Sequence, residues 1–406
     1  MSHSASVCVT GVNLFGHHCL FPSYPLETMS PRVIQLELLI PTLVQSGAEK
    51  QLVLLATGLP RSEFNVRVTC LTSGGPYEAI LRDAGIPVTI LGKKFQFDPL
   101  AYLRLRKHLR ERQPDILHTW LFAANSYGRL ALPRRSNTRV IVSERCVDSW
   151  KSWQLRVDRR LVRRTDCLIG NSQAVVEFYR PLGYPESKLR VIPNGVEMPP
   201  EPEQSRAAFL QELRLPEDAK LAIFVGRLAP QKRVADLLWA MQLLRQADPR
   251  AYLIIVGEGL LRASLEQQAR EVEVATHVRF LGHRADAARL LHLADVVWLA
   301  SEFEGMSNSV MEAMACGKPI VATAIPPNQE LIQHGVHGYL VNVRDSAGFA
   351  QFTHKLWGDH ELATQLGSTA RERVETELSV RRMIERHVAL YHEFMGTSKV
   401  SPQQNS

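Results

Sequence analysis

Along the chain, short apolar runs alternate with longer stretches in which apolar positions recur every three or four residues. "RVIQLELLI" (Arg32–Ile40), "FNVRVTCLT" (Phe64–Thr72), "PVTIL" (Pro87–Leu91), "DILHTW" (Asp115–Trp120), "RVIVSE" (Arg139–Glu144), "DCLIGNS" (Asp166–Ser172) and "LRVIPNGV" (Leu189–Val196) are short and rich in β-branched residues. That combination predicts strands. "EKQLVLLATGL", "PLAYLRLRKHLRERQ" and "ANSYGRLAL" fall between them and predict helices. Strand and helix in turn give βαβ units and a parallel sheet, and strands this continuously apolar suit a sheet covered on both faces.

The pattern breaks at "EMPPEPEQS" (Glu197–Ser205), whose prolines and glutamates cannot continue a sheet. It then restarts with "LAIFVG" (Leu221–Gly226), "YLIIVG" (Tyr252–Gly257), "VRFLG" (Val278–Gly282), "VVWLAS" (Val296–Ser301), "PIVAT" (Pro319–Thr323) and "GYLV" (Gly338–Val341). Two α/β domains are therefore expected, 31–197 and 198–379, followed by a last helix at 380–394. Residues 1–30 show no sustained period and read as a disordered or over-extended start, and 395–406 as a disordered tail. At 406 residues the chain is too long for one ordinary core, which agrees with two domains.

Composition adds limits. The chain is 45% hydrophobic and 22% charged, with net charge +7, which suits an anionic partner without choosing one. Its six cysteines are scattered, with no C-x-x-C pair, which argues against a zinc site or a disulfide framework and for a reducing compartment. No apolar run approaches the ~20 residues of a membrane span. With no signal-peptide pattern at the start, the cytoplasm is the expected location.

Chemistry concentrates in the second half. In "VGRLAPQKRVADLLWAM" (Val225–Met241) a buried strand ends at Gly226, and a loop then carries Arg227 and Lys232 into an amphipathic helix. Both cations leave the carboxyl end of a parallel strand, where α/β folds bind ligands, and a guanidinium with an ammonium suits a diphosphate. The loop is not a Walker A, and "VGEGLLR" (Val256–Arg262) lacks the third glycine of a dinucleotide fingerprint.

The second stretch is "SEFEGMSNSVMEAMACGKPIVAT" (Ser301–Thr323). A helix starting near Ser307 to Ser309 leaves Glu304 in the preceding loop and Glu312 one turn inside. Eight helical residues span about 12 Å, too far to share a proton but suited to two ends of an extended ligand. The helix N-terminus between them offers unpaired N–H groups to a phosphate. The plainer alternative is a solvated loop and a helix entry favoured by acidic residues.

"GRLAPQK", "EGMSNSVMEAMACGKPIVAT" with its Glu-x₇-Glu, "FLG" (Phe280–Gly282) and "VIPNGV" (Val191–Val196) together resemble the retaining glycosyltransferases of family 4. The resemblance runs from about residue 32 and implies a GT-B fold: two facing Rossmann-like domains, the first for the acceptor and the second for the nucleotide-sugar donor, with a C-terminal helix packing back on the first. It implies that Arg227 and Lys232 hold the donor diphosphate, with Gly226 beside them. Glu312 would take the ribose hydroxyls and Glu304 the donor sugar. The backbone of Met306, Ser307, Asn308 and Ser309 would approach the phosphates and sugar, and Leu281–Gly282 the base. Gly47, in "VQSGAEKQL", matches the glycine-rich loop of the first domain, and His118 the histidine that faces the donor sugar. One departure stands out. Where the family has Gly-Gly-x-x-Glu, this chain reads "AIPPNQE" (Ala324–Glu330), with Glu330 in register and Pro326-Pro327 removing two N–H donors.

The implied activity is transfer of a hexosyl or N-acetylhexosaminyl group from a nucleotide sugar to a glycan or lipid-linked acceptor, with retention. No cofactor or divalent metal is expected, since Arg227 and Lys232 would do a metal's work and no Asp-x-Asp motif is present. Two alternatives stand beside it: a nucleotide-sugar 2-epimerase of the same fold, and a non-catalytic basic membrane-associated protein. "LRVDRRLVRR" (Leu155–Arg164), beside Trp150 and Trp153, places Arg156, Arg159, Arg160, Arg163 and Arg164 on one segment. With "RLRKHLRER" (Arg104–Arg112) it suggests a peripheral contact with an anionic membrane. Nucleic acid is not an expected partner, because no recognised module accompanies the charge.

Overall fold

The computed structural model describes residues 32–147 and 152–396. The expectations for residues 1–30, for most of the tail after 395 and for Trp150 fall outside them.

Among the described residues thirteen strands form two sheets, all of their pairs parallel. The first contains β1 (Ile34–Ile40), β2 (Phe64–Cys70), β3 (Val88–Ile90), β4 (Ile116–Trp120), β5 (Arg139–Glu144), β6 (Cys167–Gly170) and β7 (Leu189–Val191). The second contains β8 (Lys220–Val225), β9 (Ala251–Val256), β10 (Val278–Gly282), β11 (Val296–Leu299), β12 (Ile320–Thr323) and β13 (Tyr339–Val341). Their orders are β3-β2-β1-β4-β5-β6-β7 and β10-β9-β8-β11-β12-β13. Each sheet therefore reverses direction once, between β1 and β4 and between β8 and β11. Such switch points open a crevice at the carboxyl ends of the strands.

The central apolar runs became strands covered on both faces, whereas the edge strand β3 is only half-buried. All of β4 and all of β11 are buried, so neither shows the alternation of a half-exposed strand. The run read as Leu189–Val196 is shorter in the structure. β7 stops at Val191, and Pro193-Asn194-Gly195 leaves the sheet as the crossing to the second unit. Pro326 and Pro327 open a short helix, Pro326–Leu331. In a first turn their missing N–H groups cost no intrahelical bond, which is how the chain accommodates them.

The last helix, Val380–Met395, returns to the first sheet. Met383, Leu390 and Tyr391 join the core formed by Leu36, Leu38 and Trp120, and Tyr391 is fully buried. Burial of each such side chain contributes roughly 1.5–3 kcal/mol. The outgoing and returning segments run side by side: Val196 N–H donates to the Leu378 carbonyl (2.9 Å), and Val196 bridges Ser379. Gln51 clamps the outgoing segment, exchanging two 2.8 Å hydrogen bonds with the Gly195 backbone.

Tyr391 also reaches His118, the third residue of β4. Its hydroxyl lies 2.7 Å from His118 Nδ1, and His118 Nε2 lies 2.7 Å from Ser143 Oγ. The Nε2–H tautomer satisfies both contacts, with Tyr391 donating to Nδ1 and Nε2–H donating to Ser143. His387 packs against the His118 ring at 5.8 Å. Burial lowers both imidazoles' pKa, with Arg145 adding to the effect; His118 is held well below its ordinary value and His387 falls to about 3. The unfolded chain therefore takes up these protons first as the pH falls. Their contribution to stability is whole above the unfolded value of about 6.5 and is lost progressively below it. Thermal unfolding should show a lower Tm at pH 5 than at pH 7. His387→Leu, which removes one of the two sites, should show a smaller drop; an unchanged drop would put the acid sensitivity elsewhere.

Candidate active site between the two sheets

The carboxyl ends of both sheets face a cleft of about 600 Å³. That is the size of a small-molecule or cofactor site. Five cationic side chains line it (Lys50, Arg145, Arg227, Lys232 and Arg284) against two carboxylates, Glu304 and Glu312.

The second sheet supplies one wall. After β8 ends at Val225, the loop carries Arg227, which is exposed, and a single 3₁₀ turn, Pro230–Lys232. After β11, the loop Ala300–Ser307 leads to the helix Asn308–Ala315, capped by Ser307, whose Oγ accepts from Val310 N–H at 3.4 Å. The two loops are tied together by Gln231, which donates to the Phe303 carbonyl (2.7 Å) and accepts from Glu302 N–H (2.9 Å). Lys232 Nζ donates to Glu304 Oε1, and Glu304 is buried.

Glu312 is engaged from the opposite side. Lys50, on the helix Gly47–Gly58 that follows β1, donates to Glu312 Oε1 at 2.5 Å. Burial alone would lower the Lys50 pKa, and the adjacent Glu312 carboxylate more than reverses this, leaving it raised. The two glutamates thus each hold a different lysine, one from each domain, and share no proton.

Two glycines let the walls meet. A Cβ on Gly305 would stand 2.0 Å from the Arg145 carbonyl oxygen, and one on Gly47 would stand 2.9 Å from Asn308 Nδ2. Asn308 joins the walls, donating to the Gly47 carbonyl (3.3 Å) and accepting from Asn194 Nδ2 (2.8 Å). Farther along, Glu330 accepts the N–H groups of Gln173 and Ala174 (both 2.7 Å) at the start of the helix Gln173–Tyr179.

Of the residues singled out from the sequence, Gly47, Gly226, Arg227, Lys232, Glu304, Met306, Ser307, Asn308, Ser309 and Glu312 line this cleft. Leu281 and Gly282 close β10 just behind it, and the wall there is His283, Arg284 and Ala285. His118 does not reach the cleft. It is fully buried in the middle of β4, which continues to Trp120, and Leu121 is the first residue to face the opening. Leu121 takes φ +68°, a conformation uncommon outside glycine, at the turn from β4 into the helix Leu121–Ala131.

Lys50, Arg145, Asn171 and Asn194 line the cleft without having been anticipated. Arg145 carries the same signal as Arg227, a cation just past the carboxyl end of a parallel strand. Among the described residues, no cluster of three or more His, Cys, Asp or Glu is placed to hold a metal ion. No helix among them is long and apolar enough to cross a membrane.

Gly305→Ala should force the two walls apart, since its new methyl collides with backbone rather than a movable side chain. Small-angle scattering should report a larger radius of gyration with each domain still folded. An unchanged profile would show that the contact at Gly305 does not set the domain spacing.

Comparison with known proteins agrees with this geometry. The family profile "Glycosyltransferase Family 4" matches residues 45–198, and "Glycosyl transferases group 1" matches 205–373. The chain is 27% identical over 239 residues to the N-acetyl-alpha-D-glucosaminyl L-malate synthase of Bacillus anthracis, covering 59% of this chain and 62% of that one. It is 24% identical over 353 residues to the UDP-Gal:alpha-D-GlcNAc-diphosphoundecaprenol alpha-1,3-galactosyltransferase of Escherichia coli, covering 82% and 90%. Anabaena HepE, solved with UDP-glucose, superposes with a TM-score of 0.79 at 23% identity, over 89% of this chain and all of that one. Two facing Rossmann-like sheets, the Glu-x₇-Glu loop on the cleft wall and the two matching profiles make this chain a GT-B glycosyltransferase of family 4.

Proposed function

We propose that the enzyme moves a hexosyl or N-acetylhexosaminyl group from a uridine-diphosphate sugar to a glycan or lipid-linked acceptor, with retention at the anomeric carbon. The observation that carries this reading is the division of the cleft: a cationic centre with two carboxylates set apart on either side of a helix N-terminus. The uracil donor and the lipid-linked acceptor follow the UDP-Gal and diphosphoundecaprenol of the E. coli relative's name and the UDP-glucose bound to HepE.

In this reading Arg227, Lys232 and the first N–H groups of Asn308–Ala315 take the diphosphate. Glu312 takes the ribose hydroxyls and Glu304 the sugar, with Met306, Ser307, Asn308 and Ser309 closing over it. Gly47 leaves room for the donor from the first domain, and Leu281–Gly282 back the segment that meets the base. Because Glu304 is already bound to Lys232, it is poorly placed as a nucleophile, which favours a same-face displacement. The acceptor oxygen bonds to the anomeric carbon as the carbon–oxygen bond to the β-phosphate breaks, and the departing phosphate oxygen takes the acceptor proton. Arg227 and Lys232 stabilise the negative charge that grows on the phosphate, a contribution electrostatics can make without a divalent ion.

A membrane-facing surface fits a lipid-linked acceptor. Arg156, Arg159, Arg160 and Arg163 are exposed, whereas Arg164 is half-buried and donates to the carbonyls of Arg129 and Leu132. Beside them Phe97, 72% exposed, packs at a tilt against Trp153 with ring centres 6.1 Å apart, and Leu100 is 65% exposed. Exposed aromatic and aliphatic groups next to arginines suit an anionic leaflet.

Incubated with a UDP-sugar panel and lipid-linked glycan in EDTA, the enzyme should form an α-linked product at a rate within about twofold of that in Mg²⁺. Lys232→Ala should lower that rate on the order of a hundredfold or more, the scale of losing one charge-stabilising donor. Near-normal transfer by the variant would remove Lys232 from the diphosphate. Extensive conversion of the nucleotide sugar without any acceptor would favour the epimerase reading instead. Separately, the enzyme should co-sediment with phosphatidylglycerol vesicles. Changing Arg156, Arg159 and Arg160 to Glu together should abolish this, and equal binding by that variant would exclude the proposed face.

A further inference from the structure

Among the described residues Arg145 is a buried cation with no ion-pair partner; the neighbouring Glu144 acts on its charge only through space. It is 8% exposed, and none of the ion pairs among the described residues involves it. Among the described residues its guanidinium donates only to neutral groups, Asn194 Oδ1 at 3.0 Å and Ser143 Oγ at 3.3 Å, and stacks 3.9 Å above the Trp120 ring. Its Nε has no partner. Burial draws its pKa down to about 9. A charge in this position is costly unless something compensates it.

The surroundings hold it in place. Ser143 is itself held by His118, and His118 by Tyr391, so a chain of hydrogen bonds runs from the last helix to the guanidinium. Asn171, 1% exposed, stands nearby with its Oδ1 also unpartnered. Both residues border the Glu304–Gly305 turn: a Cβ on Gly305 would lie 2.0 Å from the Arg145 carbonyl and 2.9 Å from Asn171 Oδ1. Arg145 lines the donor cleft and also a second cavity of about 300 Å³ in the first domain, with Leu121 and Cys146 common to both. It therefore stands on the wall opposite Arg227 and Lys232, where the two cavities join.

We propose that Arg145 and Asn171 form a recognition site for an acidic acceptor. In this site Arg145 binds a phosphate or carboxylate of the acceptor and Asn171 Oδ1 accepts a hydrogen bond from one of its hydroxyls. The inference rests on the transferase reading above and specifies its acceptor class. The planar fork of a guanidinium suits either oxyanion, and the empty Nε–H supplies a further donor. The same chemistry could come from the β-phosphate of the donor, so the test must separate the two sources.

Wild-type enzyme and Arg145→Gln are compared by calorimetry with UDP, and then by thermal shift with inorganic phosphate added to the UDP-saturated protein. Arg145→Gln should bind UDP within about twofold of wild type. Wild type should be stabilised by phosphate, and the variant should need at least about tenfold more phosphate for the same shift, the scale of a lost charged hydrogen bond. Without ligands the variant should be no less stable than wild type, because it no longer buries an uncompensated charge. A lower Tm for unliganded Arg145→Gln would show a structural role and overturn the proposal. So would the absence of a phosphate shift in wild type, or an equal shift in both. A variant that loses UDP affinity would assign the oxyanion to the donor and overturn the acceptor site. If wild type itself fails to bind UDP, the donor reading is what fails, and that is seen before the variant is compared.

Discussion

The architecture depends on the burial of the last helix against a sheet completed almost two hundred residues earlier. Tyr391 and Met383 fill the first core between β1, β4 and the helix Gly47–Gly58, so the chain must return after building the second sheet. Its outgoing and returning segments are paired at Val196, Leu378 and Ser379, and Gln51 fixes the neighbouring Gly195. With the two domains tethered there, the cleft has one line about which it can open. How closely its walls meet is then decided at the far side, by the glycines at 47 and 305.

Within the cleft the charges are arranged before any ligand arrives. Lys232 holds Glu304 and Lys50 holds Glu312, whereas Arg227 and Arg145 pair with no carboxylate among the described residues. In the proposed reading a diphosphate would meet Lys232 already oriented by Glu304 and need not reorganise it, which is the condition under which electrostatic stabilisation is most effective. Glu312 keeps one oxygen outside its contact with Lys50. A ribose hydroxyl can use that oxygen without breaking the link between the domains, so donor binding and closure need not compete.

The sequence made the sheets and the second-domain wall legible for a local reason. β8 and β11 with their following loops are continuous segments, and Arg227, Lys232 and Glu304 follow a strand end closely, with Glu312 in the helix that comes next. Contacts between domains have no such signature. Lys50 and Glu312 are separated by 262 positions, and nothing near either announces the other. His118 lies inside the run "DILHTW", two residues short of the end of β4, so the histidine that the resemblance places at the donor sugar sits in the core. Pro326-Pro327 removes two N–H donors where the family has glycines, but prolines at a helix start are structurally benign.

The return of the last helix also bears on how such enzymes can diversify. In chain order the second domain is an insert: it begins after Gly195 and ends before Val380, and the residues on either side belong to one core. A recombination that exchanged everything downstream of the crossing would pair the first sheet with a foreign helix and a foreign partner for His118. Exchange of the internal segment alone would leave that core whole. The heritable module for exchanging the second domain is therefore the interior of the gene, and the stretch that encodes the last helix must stay with the first domain.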